Sequence, residues 1–122
     1  MAKKILVIDD SEQLVQLVEM RLKASGYDVI KAYEAQKGID LARQVKPDLI
    51  IPDVVFPKMD GYEVCKILKS DSKLGNVPII MLSGMNKIID VKLARLAGAD
   101  AYCTKPFIAE TLLARIKELL NQ

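Results

Sequence analysis

The stretch Lys4-Ile5-Leu6-Val7-Ile8-Asp9-Asp10 reads KILVIDD: a run of aliphatic residues that stops in two carboxylates. An apolar run without alternation fits a strand buried on both faces, as in a parallel sheet. Working outward, Leu14, Val18 and Leu22 recur every four residues between Glu12 and Ser25, the pattern of an amphipathic helix that Gly26 ends. Tyr27 to Ala32 then alternates like a half-buried strand. Strand, helix and strand in this order begin a βαβ unit.

The same alternation continues to the last residue. Ala35, Ile39 and Ala42 mark a second helix, stopped before Pro47. Asp48 to Asp53 is a third strand, followed by a loop and a helix carrying Val64, Ile67 and Leu68. Pro78 to Ser83 is a fourth apolar strand, and Ile89, Leu93 and Leu96 fit a fourth helix closed by Gly98. Ala99 to Thr104 is a short fifth strand, and Leu112, Leu113, Ile116 and Leu120 line a final helix. Five strands alternating with five helices predict one doubly wound α/β domain over residues 1–122, with a five-stranded parallel sheet and right-handed crossovers. One residue disturbs the pattern. Pro52 stands in the third strand, where it removes a ladder hydrogen bond at an expected cost of about 1 kcal/mol. The alternative is that it re-aims the carboxylate of Asp53.

Composition removes several function classes. At 122 residues and 51% hydrophobic, the chain is long enough to bury a real core. A net charge of +2, with Lys3-Lys4 the only adjacent basic pair, leaves no footprint for a nucleic-acid backbone. The apolar runs are too short for a membrane span, and the first residues do not form a signal peptide. Cys65 and Cys103 lie far apart and read as buried free thiols in a reducing cytosol. The chain has no histidine, which excludes histidine triads, the common zinc sites and phosphohistidine formation on this chain.

In a doubly wound sheet, ligands bind at the carboxyl ends of the strands. Asp9 and Asp10 follow the first strand, Asp53 the third, Ser83 the fourth and Lys105 the fifth. Gathered carboxylates repel one another unless a cation intervenes, and Mg²⁺ suits oxygen ligands beside a phosphate. Lys105 adds a positive charge and Ser83 a hydroxyl, so the set suits a phosphoryl group with Asp53 as its nucleophilic acceptor. Solvated strand ends are the bland alternative. The loop after the first strand, DDSEQ, is unlike a flavin-phosphate loop, and no GxGxxG, P-loop or Asp-x-Asp phosphatase motif occurs.

KILVIDD, PDLIIPDVVFPKMDG, VPIIMLSG and GADAYCTKPF, in this order, make the chain resemble a bacterial two-component response regulator receiver domain from end to end. The resemblance implies a flavodoxin-like (βα)5 fold with strand order 2-1-3-4-5 and a cytoplasmic location. It implies Asp53 as phosphoacceptor, and Asp10, Asp53 and the backbone carbonyl of Val55 as Mg²⁺ ligands, with Asp9 holding a metal-bound water. It implies Ser83 as the switch hydroxyl, Lys105 as the lysine bonding the phosphoryl group, and a cis peptide before Pro106. Tyr102 matches the switch aromatic that moves inward, though it also reads as an ordinary half-buried strand tyrosine. The donor would be the phosphohistidine of a sensor kinase or phosphotransfer protein. The response would be a shift of the surface around the fourth helix, fifth strand and fifth helix, which binds a downstream effector or output domain. Such a domain is a signalling switch that assists its own Mg²⁺-dependent phosphorylation and dephosphorylation, not an enzyme.

Some residues depart from the family's pattern. Gly84 stands where alanine is usual, Ile108-Ala109 replace an Asp or Ser cap, and the residues two after Asp53 and Ser83 are the apolar Val55 and Met85. Asp100 and Arg115 faintly resemble the pairs through which some winged-helix regulators dimerise, whereas Ala101 does not fit and Arg115 also reads as a solvated helix residue. A monomer or weak dimer is expected, with no direct nucleic-acid or membrane contact. The chain would be a stand-alone receiver or a fragment of a longer regulator. The alternative from another class is a pseudo-receiver that binds partners without phosphorylation.

Overall fold

β1 (Lys4–Ile8) lies between β2 (Asp28–Ala32) and β3 (Leu49–Pro52), parallel to both, so the most apolar stretch of the sequence forms the centre of a three-stranded unit. The computed structural model describes residues 2–53, 59–84 and 88–122, the side chains of 88 and 89 excepted. The crossovers are α1 (Glu12–Ala24) and α2 (Ala35–Val45), and α3 (Gly61–Ser70) leads from β3 to β4 (Ile80–Ser83). α4 (Ile88–Leu96), β5 (Ala101–Thr104) and α5 (Ala109–Leu119) complete the order.

Because side chains alternate along a strand, β1 feeds two cores. Ile5 and Val7 pack with Val15, Val18 and Leu22 of α1 and Leu112 and Ile116 of α5. Leu6 and Ile8 pack with Ile39 and Ala42 of α2, Val64 and Leu68 of α3 and Ala94 of α4. The sheet is therefore covered on both faces, which is why its inner strands β1, beyond Lys4, and β3 are buried along their length, while the edge strand β2 keeps the exposed Asp28 and Lys31. α2 approaches β1 so closely at Gly38 that an added Cβ would lie within 2.8 Å of three Ile8 side-chain atoms.

Local chemistry sets the helix ends. The Ser11 hydroxyl caps α1 by accepting the Leu14 N–H at 3.3 Å, and Asp60 caps α3 by accepting the Glu63 N–H at 2.9 Å. Gly26 takes φ +93 just beyond α1, a conformation that favours glycine. α2 closes on Lys46 in the left-handed region, one residue before Pro47. Ile108 stands at the N-cap of α5 without a side-chain hydrogen bond, as its chemistry requires.

The β3–β4 junction shows what Pro52 does. Ile50 bridges to Ile79, with the Ile50 N–H donating to the Pro78 carbonyl at 3.0 Å. Along a parallel strand, successive N–H groups point alternately to the two neighbours. The Asp53 N–H donates to Ile8 of β1 at 2.8 Å, so an N–H at residue 52 would face β4, and proline has none. The ladder breaks there. The hydrogen-bonded sheets are accordingly β2-β1-β3 and β4-β5, joined by the Ile50–Ile79 bridge in the spatial order 2-1-3-4-5.

α4 turns a different face to the core than its leucines suggest. Leu93 is 43% and Leu96 82% exposed, whereas Asp90, Ala94 and Ala97 are buried. The small residues at i, i+4 and i+7 let the helix lie close to the sheet, and the large apolar ones are left outside. The side chain of Ile89, the third residue of the expected stripe, lies outside the described residues.

Candidate functional site

Each strand end delivers its polar residue to one edge of the sheet. Asp9 and Asp10 leave β1, Asp53 leaves β3, Ser83 ends β4, and Lys105 follows β5. One carboxylate oxygen from each of Asp9, Asp10 and Asp53 lies within 4.8 Å of the other two. Asp9 and Asp53 are 2% and 6% exposed, while Asp10 is open to solvent. Backbone bonds fix these ends: the Asp9 N–H donates to Ala32 at 3.0 Å, and the Lys105 N–H donates to Ser83 at 2.8 Å.

Lys105 brings the compensating charge. Its Nζ lies 2.8 Å from Asp9 Oδ2 and 3.2 Å from Asp53 Oδ2, and its side chain is 24% exposed. Burial alone would lower the ammonium's pKa, but the hydrogen bond to Asp9 and the charges of Asp53 and Asp9 outweigh it, so the net shift is upward. The other oxygen of Asp9 accepts the Ser11 N–H at 2.9 Å, tying the cluster to the cap of α1. The peptide bond from Lys105 to Pro106 is cis.

Ser83 is 1% exposed and shares a hydrogen bond with the Tyr102 side chain. Burial raises the Tyr102 phenol above its ordinary pKa, against the lowering effect of that bond. Gly84 next to Ser83 is exposed, and a Cβ there would meet nothing within 4 Å among the described residues. Among the described residues, three clustered carboxylates against one ammonium leave an excess of negative charge and hard oxygen donors, a donor set that fits Mg²⁺. The expected carbonyl ligand, Val55, and the apolar Met85 lie outside the described residues.

Two participants near the switch position are not apparent from motifs. Asp90, buried in the first turn of α4, lies close enough for its charge to act on both Tyr62 and Tyr102. Tyr62 Oη of α3 donates to the Asp90 carbonyl at 3.4 Å. Burial first, then Tyr102 and the charges of Asp90 and Asp60, hold the Tyr62 phenol above its ordinary pKa. The available signal was an acid in register with Ala94 and Ala97. Asp100 and Arg115 are both engaged within the chain. Asp100 accepts from Lys69 Nζ at 2.9 Å and from the Ile79 N–H at 2.8 Å, and Arg115 pairs with Glu118 at 2.9 Å.

The chain is similar to known proteins. Residues 5–117 match the family model of the response regulator receiver domain. The chain is 42% identical over 119 residues to the DNA-binding dual master transcriptional regulator RpaA of Synechocystis, covering 98% of this chain and 49% of that protein. It is 44% identical over 122 residues to the alkaline phosphatase synthesis transcriptional regulatory protein PhoP of Bacillus subtilis, covering all of this chain and 50% of that protein. The chain thus spans about half the length of these relatives. Among solved structures, the chemotaxis response regulator CheY4 of Vibrio cholerae superposes with TM-score 0.92 at 32% identity, covering 98% of this chain and 100% of that one. A CheY-like receiver domain protein of Methanospirillum hungatei gives TM-score 0.92 at 29% identity, covering 99% and 95%. No helix among the described residues is long and apolar enough to cross a membrane. With the family model spanning nearly the whole chain and these relatives agreeing end to end, the chain belongs to the response regulator receiver domain family.

Proposed function

We propose that residues 1–122 act as one phosphorylation-dependent switch in which Asp53 accepts a phosphoryl group from a partner's phosphohistidine. The observation that carries this reading is the Lys105 ammonium set between the carboxylates of Asp9 and Asp53, with Asp10 beside them. A carboxylate oxygen of Asp53 forms the new O–P bond as the P–N bond of the donor breaks. The electron pair stays on the ring nitrogen, and with the one proton the donor imidazole carries on its other nitrogen, histidine leaves neutral on the partner and an acyl phosphate stays on this chain. Little covalent work is left to the protein beyond positioning and charge neutralisation. Asp10, Asp53 and the Val55 carbonyl would hold Mg²⁺ directly, and Asp9 through water. When bound, the ion supplies positive charge to carboxylates and phosphoryl oxygens alike.

Lys105 then exchanges its contact with Asp53 for one with the phosphoryl oxygens. Ser83 turns its hydroxyl to the same oxygens, and its bond with Tyr102 is given up or re-formed in a new geometry. That differential contact biases two arrangements of the α4–β5–α5 surface, where a downstream effector or output domain binds. Leu93 and Leu96, exposed on α4, give that surface apolar area. It would support a monomer or a weak dimer.

The deciding experiment is incubation with Mg²⁺ and acetyl phosphate followed by intact mass. A single phosphoryl adduct that EDTA prevents is expected. No adduct overturns the reading in favour of a partner-binding module that keeps the fold without the chemistry. Because Val55 and Met85 are apolar, neither orients an attacking water, so the adduct should decay over minutes or longer without a phosphatase. Decay within seconds would contradict that expectation.

A further inference from the structure

The groups of the site come from the two sides of the β3–β4 junction. Asp9, Asp10 and Asp53 stand on the β2-β1-β3 unit, whereas Ser83, Tyr102 and Lys105 stand on β4-β5. The seam between them is pinned at its amino end, where the Ile50 N–H donates to Pro78. At its carboxyl end, beside the site, the ladder is short of a donor because residue 52 is proline. Beside the apolar packing of Ile51 with Ile80 and Leu82, an ionic contact crosses the seam there: Lys105 reaches over to Asp9 at 2.8 Å and to Asp53 at 3.2 Å.

We propose that Pro52 is a positioning residue: by withholding one N–H from the β3–β4 ladder, it lets the β4-β5 half move away from the β2-β1-β3 half at the site end. The need for such movement follows from the contacts. Lys105 Nζ touches one oxygen each of Asp9 and Asp53, so a cation or phosphoryl group that takes either of those oxygens competes with the ammonium. A ladder continued through residue 52 would couple the end of β3, and Asp53 next to it, rigidly to β4. An interrupted ladder allows the gap to widen by a small rotation about the Ile50–Ile79 bridge, without unfolding either half.

Pro52→Ile and Pro52→Ala both restore the N–H, and they differ in the volume they place in the core. A packing effect would separate them, whereas a ladder effect moves both in one direction. In the unphosphorylated, Mg²⁺-free protein, the Ile80 and Leu82 amides should exchange about fivefold more slowly in both variants, relative to β1 amides. Mg²⁺ alone, titrated calorimetrically, should bind about threefold more weakly, and labelling by acetyl phosphate should slow by a similar factor. The proposal is overturned if β4 exchange is unchanged in both variants. It is also overturned if exchange slows while Mg²⁺ affinity and labelling stay the same, or if the two variants move in opposite directions. Only the labelling arm rests on Asp53 as the phosphoacceptor. If wild-type protein takes no phosphoryl group, that reading fails, and exchange with Mg²⁺ affinity still decides the seam. Should one variant not fold, the other carries all three measurements.

Discussion

Asp53→Asn protein should take up no phosphoryl group from acetyl phosphate and Mg²⁺, at least about a thousandfold below wild type in rate. The substitution keeps the shape of the side chain and removes the nucleophile, because an amide oxygen does not attack phosphorus at a useful rate. The fold should survive it. Asp53 loses its 3.2 Å ion pair with Lys105, but the remaining Asp9 contact at 2.8 Å holds the lysine, and one of three crowded negative charges is gone. Intact mass and a urea titration separate the two effects. An adduct formed as fast by Asp53→Asn as by wild type would move the acceptor to another residue. A large loss of stability would leave the chemical reading without support from this variant.

Lys105→Met should be the most destabilising single change at the site. It leaves Asp9 and Asp53, both buried, without their shared cation, and breaking a buried pair by removing one partner typically costs 3–5 kcal/mol. Since Lys105 is partly exposed and Asp10 solvated, about 2–4 kcal/mol is expected at pH 7, read from urea unfolding in EDTA. The pH dependence has a definite sign. Lys105 has its folded-state pKa raised above the ordinary 10.5, so its contribution is complete below the unfolded value and is lost as pH rises through the folded one. The gap between wild type and variant should therefore be constant from neutral pH to about 10 and close above it. Equal stabilities at pH 7 would mean that the cluster does not depend on this lysine. Mg²⁺ should stabilise the variant more than wild type, since no ammonium competes for the same oxygens.

The alternation of apolar runs and helical periods was enough to place the strands and helices of the described residues, because the inner strands β1, β3 and β4 are buried on both faces and the edge strand β2 is partly buried. The convergence of Asp9, Asp10, Asp53, Ser83 and Lys105 was legible for a similar reason: parallel strands send all their carboxyl ends to one edge. What was not legible depends on packing distance. The leucines of α4 look like a core stripe, yet Ala94 and Ala97 take that role because only small side chains fit where the helix meets the sheet. Asp90 was hidden by the same geometry, since an acid reads as a surface residue until its neighbours are in place. Pro52 was visible, but the side of β3 on which its missing donor falls could be assigned only from the register with β1.

The central place of β1 also governs the order in which the site can assemble. Residues 2–53 contain the complete β2-β1-β3 unit and all three carboxylates, whereas Lys105 lies far downstream. Contacts close in sequence form before distant ones, because loop closure costs more with separation. On that basis the acidic residues are expected to come together before their cation docks, so that the early sheet would carry its repulsion alone. Added divalent or monovalent salt should accelerate refolding of wild type, and Asp53→Asn should weaken that dependence, as stopped-flow refolding at several ionic strengths would measure. Docking of β5 would then do two things in one event: complete the second half of the sheet and bring the first its compensating lysine.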